Sequence, residues 1–177
     1  PSRLVGSEMC IRDSTNIKVS KICLGTMTWG RQNTQVEAFE QMNFSLENGV
    51  NFFDTADVYG DGRSEKLIGE VLKNTKEKIY VATKAGRRLN PHNADGYNLK
   101  NIESFIDRSL INLGVEVIDL IQLHCPPSEI CGKKETYEMM DEIVKKGKIN
   151  YYGVSVEKVS EALDAIKYPN VKSIQII

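Results

Sequence analysis

Cationic surplus, long apolar runs and metal-type cysteine spacing are all missing from this chain of 177 residues. Lys and Arg total 23 against 24 Asp and Glu, a formal net charge of -1, so there is no electrostatic footprint for a nucleic-acid backbone. No window approaches the ~20 consecutive apolar residues that a membrane-spanning helix requires, and no membrane partner is expected. The four cysteines, Cys10, Cys23, Cys125 and Cys131, form no C-x-x-C pair and have no histidine at zinc-like spacing. Neither a zinc site nor a redox dithiol is therefore encoded. Reduced thiols fit a reducing compartment, and a cytoplasmic location is the expectation. Internal repeats, low-complexity tracts and long linkers are absent as well.

What is present is an alternation of short apolar runs with segments of helical period. Buried parallel strands read as near-continuous Val/Ile/Leu-rich runs, and five such runs stand out: Val50 to Asp54, Ile79 to Lys84, Val117 to His124, Ile149 to Ser155 and Val171 to Ile177. A sixth, Ile22 to Gly25, precedes them, with Ile17 to Val19 as one arm of a small hairpin. Ile102, Phe105, Ile106, Leu110 and Leu113 form a helical face between Asn98 as N-cap and Gly114 in the C′ role. Val36, Phe39, Met42 and Leu46 repeat that pattern before Gly49, and Met139, Met140, Ile143 and Val144 repeat it before Gly147. Leu67, Ile68, Val71 and Leu72 form another face behind Ser64. Strand and helix in alternation specify parallel βαβ units and an α/β fold.

Six such strands fall short of a closed eight-stranded barrel, which takes about 250 residues. The sequence stops inside an apolar run at Ile176 and Ile177, and its first fourteen residues, PSRLVGSEMCIRDS, show neither strand nor helix period and no signal-peptide core. Residues 1–14 read as a non-native leader, left out of fold reasoning.

Four polar residues, Asp54, Tyr59, Lys84 and His124, fall at or just after the ends of these runs. In a parallel sheet their side chains emerge at one rim, where α/β enzymes keep their chemistry. A free tyrosine titrates near pH ~10, and an ammonium close to the phenol is expected to bring that value down. A carboxylate beside the lysine keeps it charged and positioned, and a histidine can donate a hydrogen bond to a carbonyl oxygen. The set describes a site that polarises and protonates C=O, with Tyr59 as acid, Lys84 as its tuner, Asp54 as the lysine's partner and His124 as the orienter. It lacks a nucleophile, so the reducing equivalent is expected from a nicotinamide. An aldolase reading makes Lys84 a Schiff-base nucleophile, but leaves Asp54 and Tyr59 without roles.

The stretches LGTMTWG (Leu24 to Gly30), VNFFDTADVYG (Val50 to Gly60), VATKAG (Val81 to Gly86) and SLINLGVEVIDLIQLH (Ser109 to His124) closely resemble the aldo-keto reductase superfamily, and the likeness covers nearly everything from Thr15 to Ile177. It implies a (β/α)8 TIM barrel, here truncated after about the sixth strand, and NADPH-dependent reduction of a small-molecule aldehyde or ketone without metal. Residues 15–177 are then an incomplete NADP-dependent oxidoreductase barrel, and the fragment by itself is expected to be inactive. The resemblance makes Asp54, Tyr59, Lys84 and His124 a catalytic tetrad. It places Thr26, Met27, Gln32 and Asp54 on the ribose and pyrophosphate side of NADP, and Ser155 and Gln175 on the nicotinamide carboxamide. The family commonly has Asn or Arg after that serine, whereas this chain has Val156. A nicotinamide-binding regulatory module of the potassium-channel β-subunit type is the alternative; those proteins carry Asn where this chain has His124, which favours the enzyme.

Other features carry less. Arg87 and Arg88 are read as solvated loop arginines or as contacts to substrate or phosphate, and His92 as a loop surface residue. Trp29 is read either as a wall of the substrate site or as packing under a loop.

Overall fold

The computed structural model describes residues 8–10 and 15–177. Six parallel strands form one sheet in strictly sequential order: β3 (Leu24–Gly25), β4 (Phe52–Asp54), β5 (Tyr80–Ala85), β6 (Ile118–His124), β7 (Ile149–Val156) and β8 (Val171–Ile176). Between them run α1 (Gln35–Glu47), α2 (Arg63–Asn74), α3 (Leu99–Leu113), α4 (Ser128–Cys131), α5 (Lys134–Lys145) and α6 (Val159–Ala165). The arrangement is the expected βα succession, six strands of a (β/α)8 barrel. A separate antiparallel pair joins β1 (Glu8–Cys10) to β2 (Lys18–Ser20). Residues 8–10 of the expected leader form that short ladder, which rests on backbone bonds and needs no side-chain period. The rest of that expected leader lies outside the described residues.

Local signals explain the helix ends. Asn98 accepts from Asn101 N at 3.1 Å and Gly114 closes α3 at φ 65, as the sequence indicates. At α1 a reciprocal capping box, not apparent from the apolar pattern, links Thr34 and Glu37 (3.2 and 2.7 Å). The stripe that would have announced α6 points outward: Val159, Leu163 and Ile166 are exposed, while Ala162, Ala165 and Glu161 are buried. α4 and two 3-10 turns, Met27–Gly30 and Ala94–Gly96, are equally silent in hydrophobic period.

Side chains alternate across the sheet. Phe53, Val81, Ile121, Val154 and Val156 join the buried cluster with helix residues such as Ile68, Ile102, Ile106, Met140 and Ile143. On the other face Gln122 donates from Nε2 to Ser173 Oγ at 3.0 Å. It reaches past β7 because Gly153, the register partner of both residues, has no side chain; a Cβ there would meet Ser173 Oγ at 2.1 Å. Backbone meets backbone at a second point. The 3-10 turn after β3 abuts the turn after β4, and a Cβ on Gly60 (φ 61) would lie 2.2 Å from Gly30 O.

That contact gives a prediction. Gly49 also has positive φ (80) but nothing within 4 Å of an added Cβ, so Gly49→Ala in the full-length protein costs only the left-handed strain, ~1–2 kcal/mol. Gly60→Ala adds an overpacking cost of ~1–3 kcal/mol, since the obstructing atoms are backbone. Urea denaturation of both variants checks the order; equal losses would show that the two turns separate freely.

Candidate active site

Every strand end of the sheet from β3 onward contributes to one rim. Lys84, at the end of β5, is 1% exposed, and its three donors are spent on Asp54 Oδ1 and Oδ2, both 2.7 Å away, and on Thr55 O at 3.0 Å. Backbone bonds lock the segment that follows β4 onto the next strand, Thr55 N to Ala82 O at 2.9 Å and Asp57 N to Lys84 O at 3.4 Å. Tyr59 closes a turn onto Ala56 O (3.1 Å), which sets its ring under the lysine and beside the next strand end. Lys84 Nζ lies 5.4 Å from the Tyr59 ring centroid, and the His124 ring meets it edge-on, with centroids 6.1 Å apart and planes at 87°. The structure therefore brings Asp54, Tyr59, Lys84 and His124 together.

Their electrostatics depart from expectation in one respect. Tyr59 is pushed up to about 12, by burial first and then by the Asp54 and Cys125 charges, where an ammonium was expected to lower it. The ammonium faces the ring and its charge is matched by Asp54, so whatever it contributes to the phenolate does not outweigh desolvation. His124 is buried and held down to about 4, by desolvation and then by the charges of Lys84, Arg87 and His92. It is neutral throughout the physiological range. Its Nδ1 has no hydrogen-bond partner.

On the next two strands the rim continues in register: His124 pairs with Ser155, and Ser155 with Gln175. Among the described residues Gln175 Oε1 is buried without a partner and Ser155 Oγ has only the neighbouring Cys125 thiol to bind, leaving hydrogen-bonding capacity unspent where burial normally demands it. The remaining expected cofactor residues are placed differently. Thr26 is fully buried; its hydroxyl donates to Asp54 O at 2.9 Å and accepts from Ser64 Oγ at 2.7 Å, in a cluster that includes Thr55. Met27 is 66% exposed, and Gln32 is exposed beyond the 3-10 turn. Trp29 is fully buried, its indole N–H bound to Gln41 Oε1 at 2.7 Å, which settles it as packing under the loop. His92 is half-buried against Tyr97 OH, 2.9 Å away.

One residue escaped the sequence reading. Asp57 is fully buried, and among the described residues neither of its carboxyl oxygens has a side-chain partner, the Val58 amide alone acting on it weakly. Burial, then the neighbouring Glu65, raise it to about 7, against the opposing pull of Arg88 and Arg108. Glu65, also fully buried, is held only by neutral donors, Thr83 Oγ1 at 2.6 Å and Asn112 Nδ2 at 2.8 Å. Both arginines sit on Asp61 instead, each 2.7 Å from Oδ1. The only signal in the sequence was the second aspartate of DTADVYG, three residues after Asp54. Among the described residues no three His, Cys, Asp or Glu side chains gather as metal ligands, and no helix is long and apolar enough to cross a membrane.

Comparison with known proteins agrees with this fold. The family model described as "Aldo/keto reductase family" matches residues 21–176. An uncharacterised oxidoreductase of Bacillus subtilis, YqkF, is 31% identical over 92% of the chain and 53% of its own length. The structure of an aldo-keto reductase from Bacillus halodurans in its holo form superposes with a TM-score of 0.78 at 30% identity, covering 91% of this chain and 54% of that one. An aldo-keto reductase from Klebsiella pneumoniae, solved in complex with NADPH, shares the fold at 22% identity and a TM-score of 0.70, covering 85% and 50%. The chain spans about half the length of the curated relatives it matches.

Asp57 yields a pH prediction. A carboxyl raised in the folded state favours folding below its unfolded value and loses that contribution as pH rises through the folded one, so its effect falls away between about 3.8 and about 7. Asp57→Asn cannot ionise. Relative to the unchanged protein, its melting temperature is expected to climb as pH rises through that window and then hold constant. A difference independent of pH would show that Asp57 titrates as an ordinary exposed carboxylate.

Proposed function

The chain belongs to the aldo/keto reductase family, and from that premise we propose that the full-length protein reduces an aldehyde or ketone to an alcohol, with NADPH as reductant and Tyr59 as proton donor. The observation that carries this reading is the convergence of the Lys84–Asp54 ion pair, the Tyr59 phenol and the neutral His124 at one rim, beside buried polar atoms whose hydrogen-bonding capacity is not filled among the described residues. A serine hydroxyl and a glutamine carbonyl, adjacent in register, complement a carboxamide, which offers both N–H donors and a C=O acceptor. Ser155 and Gln175 would therefore hold the nicotinamide amide. Asp54, Met27 and Gln32 would line the ribose and pyrophosphate side, with Thr26 shaping that side through its bond to Asp54 O. The Klebsiella relative crystallised with NADPH supports the phosphorylated dinucleotide. When bound, the nicotinamide supplies hydride to the carbonyl carbon.

The chain's own residues handle the oxygen. A raised tyrosine remains a protonated O–H donor across the physiological range, and the neutral His124 ring has an N–H to orient the carbonyl toward it. As hydride adds at carbon, the Tyr59 proton passes to oxygen; the products are the alcohol and a tyrosinate, which solvent reprotonates. Lys84 acts at that moment. Its ammonium, fixed at the ring by Asp54, stabilises negative charge that appears only after transfer, which is differential binding of the transition state. The three described cysteines, Cys23, Cys125 and Cys131, are free, in keeping with a cytoplasmic setting. The segment alone is proposed to be inactive, because its sheet has no partner strand beyond β3 or β8.

Two outcomes test the reading on the full-length protein. NADPH is expected to be oxidised by 4-nitrobenzaldehyde at a rate unaffected by EDTA, and kcat/KM is expected to show no inflection near pH 6.5, since His124 titrates at about 4. No turnover across a broad carbonyl panel would overturn the proposal. Tyr59→Phe keeps the ring and deletes the donor; kcat should fall by ~10²- to 10⁴-fold, with NADPH affinity little changed. Retained activity would assign the proton to another group.

A further inference from the structure

Two arginines follow Lys84 and Gly86 in sequence, and the structure separates their fates. Arg88 turns toward the β4–α2 turn, where Nη1 lies 2.7 Å from Asp61 Oδ1 and 3.3 Å from Asp57 O. Arg108 is bound to the same aspartate and Arg63 to Trp29 O. Arg87 is exposed and makes no hydrogen bond or ion pair among the described residues. Its placement follows from the chain. Ala85 pairs with Leu123, so Gly86 comes level with His124, and at φ 107 Gly86 turns the backbone against the Tyr97 ring, 2.8 Å from where a Cβ would stand. Arg87 thus begins the loop directly above the His124 strand end.

The Arg87 charge is felt on both sides of that position. It helps hold down His124 and His92, and it opposes the upward push of burial on Cys125 and Tyr97. Cys125 follows His124, and His92 and Tyr97 lie farther along the same β5–α3 loop that Arg87 begins, so an unneutralised guanidinium starts beside the His124 strand end. The facing acid is Glu157, exposed after β7, whose charge acts on Cys125 with the opposite sign. Of the other charges nearby, Lys84 is paired with Asp54, and Arg88 and Arg108 with Asp61, while the buried Asp57, whose charge also reaches Tyr97, has no ion pair among the described residues.

We propose that Arg87 is a specificity-determining residue, which favours carbonyl substrates bearing a carboxylate or other anionic group away from the C=O. This rests on the carbonyl-reductase reading above. A guanidinium recognises a carboxylate through its planar fork of donors, and it need not touch the reacting atoms to do so. Glu157 tempers the preference from the other side of the opening.

The test compares 4-carboxybenzaldehyde with 4-nitrobenzaldehyde, which are nearly isosteric and differ by one charge, as the ratio of their kcat/KM values in the full-length protein with NADPH. Arg87→Ala is expected to lower that ratio about tenfold, the order of one exposed charge-assisted contact, through KM for the carboxylate. Arg87→Lys should retain part of it, Glu157→Gln should raise it, and added salt should shrink it in the unchanged protein but not in Arg87→Ala. Turnover of both aldehydes with a ratio that Arg87→Ala leaves unchanged would overturn this inference and spare the reductase reading. No turnover of either would overturn both.

Discussion

The ion pair between Lys84 and Asp54 is the interaction on which the rim depends. An ammonium 1% exposed to solvent carries a desolvation cost of several kcal/mol, offset only by a close counter-charge and a full set of hydrogen bonds. Here both conditions are met by neighbouring segments: Asp54 supplies both oxygens and Thr55 its carbonyl. Satisfying the lysine therefore fixes the end of β4 against β5. The consequences spread from there. Asp54 O receives the Thr26 amide at 3.0 Å, seating the loop after β3, and Lys84 O receives the Asp57 amide, seating the turn that carries Tyr59. One buried charge organises three strand ends.

Burial beside that pair also decides the protonation states around it. Burial is the leading cause at both Tyr59 and His124, the Asp54 charge adds to it at the tyrosine and the Lys84 charge at the histidine, and each is kept in its neutral form. Neutral forms are what the proposed carbonyl reduction would ask of a resting site, an O–H to give and an N–H to orient. The lysine's charge becomes unbalanced work only when the phenol loses its proton.

The strands and the four-residue constellation were legible because each rests on local, one-dimensional signals: apolar runs for the strands, and polar residues at their ends. Boundaries moved by one or two residues, as at β4, which begins at Phe52 where the apolar run begins at Val50. α6 was not legible, since its apolar stripe faces outward and its buried face is alanine. The direction of the Tyr59 shift could not be read either, because it depends on whether the lysine faces the ring or the oxygen. The arginine pair shows the same limit. Arg87 and Arg88 are identical neighbours in sequence, and only the turn at Gly86 together with the position of Asp61 makes one a structural tie and the other a free charge.

Two buried groups near this rim titrate in overlapping ranges with opposite effects. His124, depressed from 6.5 to about 4, contributes stability that is present above its unfolded value and lost as pH falls toward the folded one. Asp57, raised from 3.8 to about 7, contributes stability that is present at low pH and lost as pH climbs. Between roughly pH 4 and 6.5 the slopes oppose, for each group amounts to about one proton of difference between folded and unfolded chains. Stability around the rim is thereby buffered against mild acidification, although neither group is buffered alone. The two are not in contact: His124 sits over Tyr59, whereas Asp57 lies toward Glu65 and the arginines that hold Asp61. The two act at different places along one rim, Asp57 at the start of the turn and Tyr59, whose ring meets His124, two residues further on.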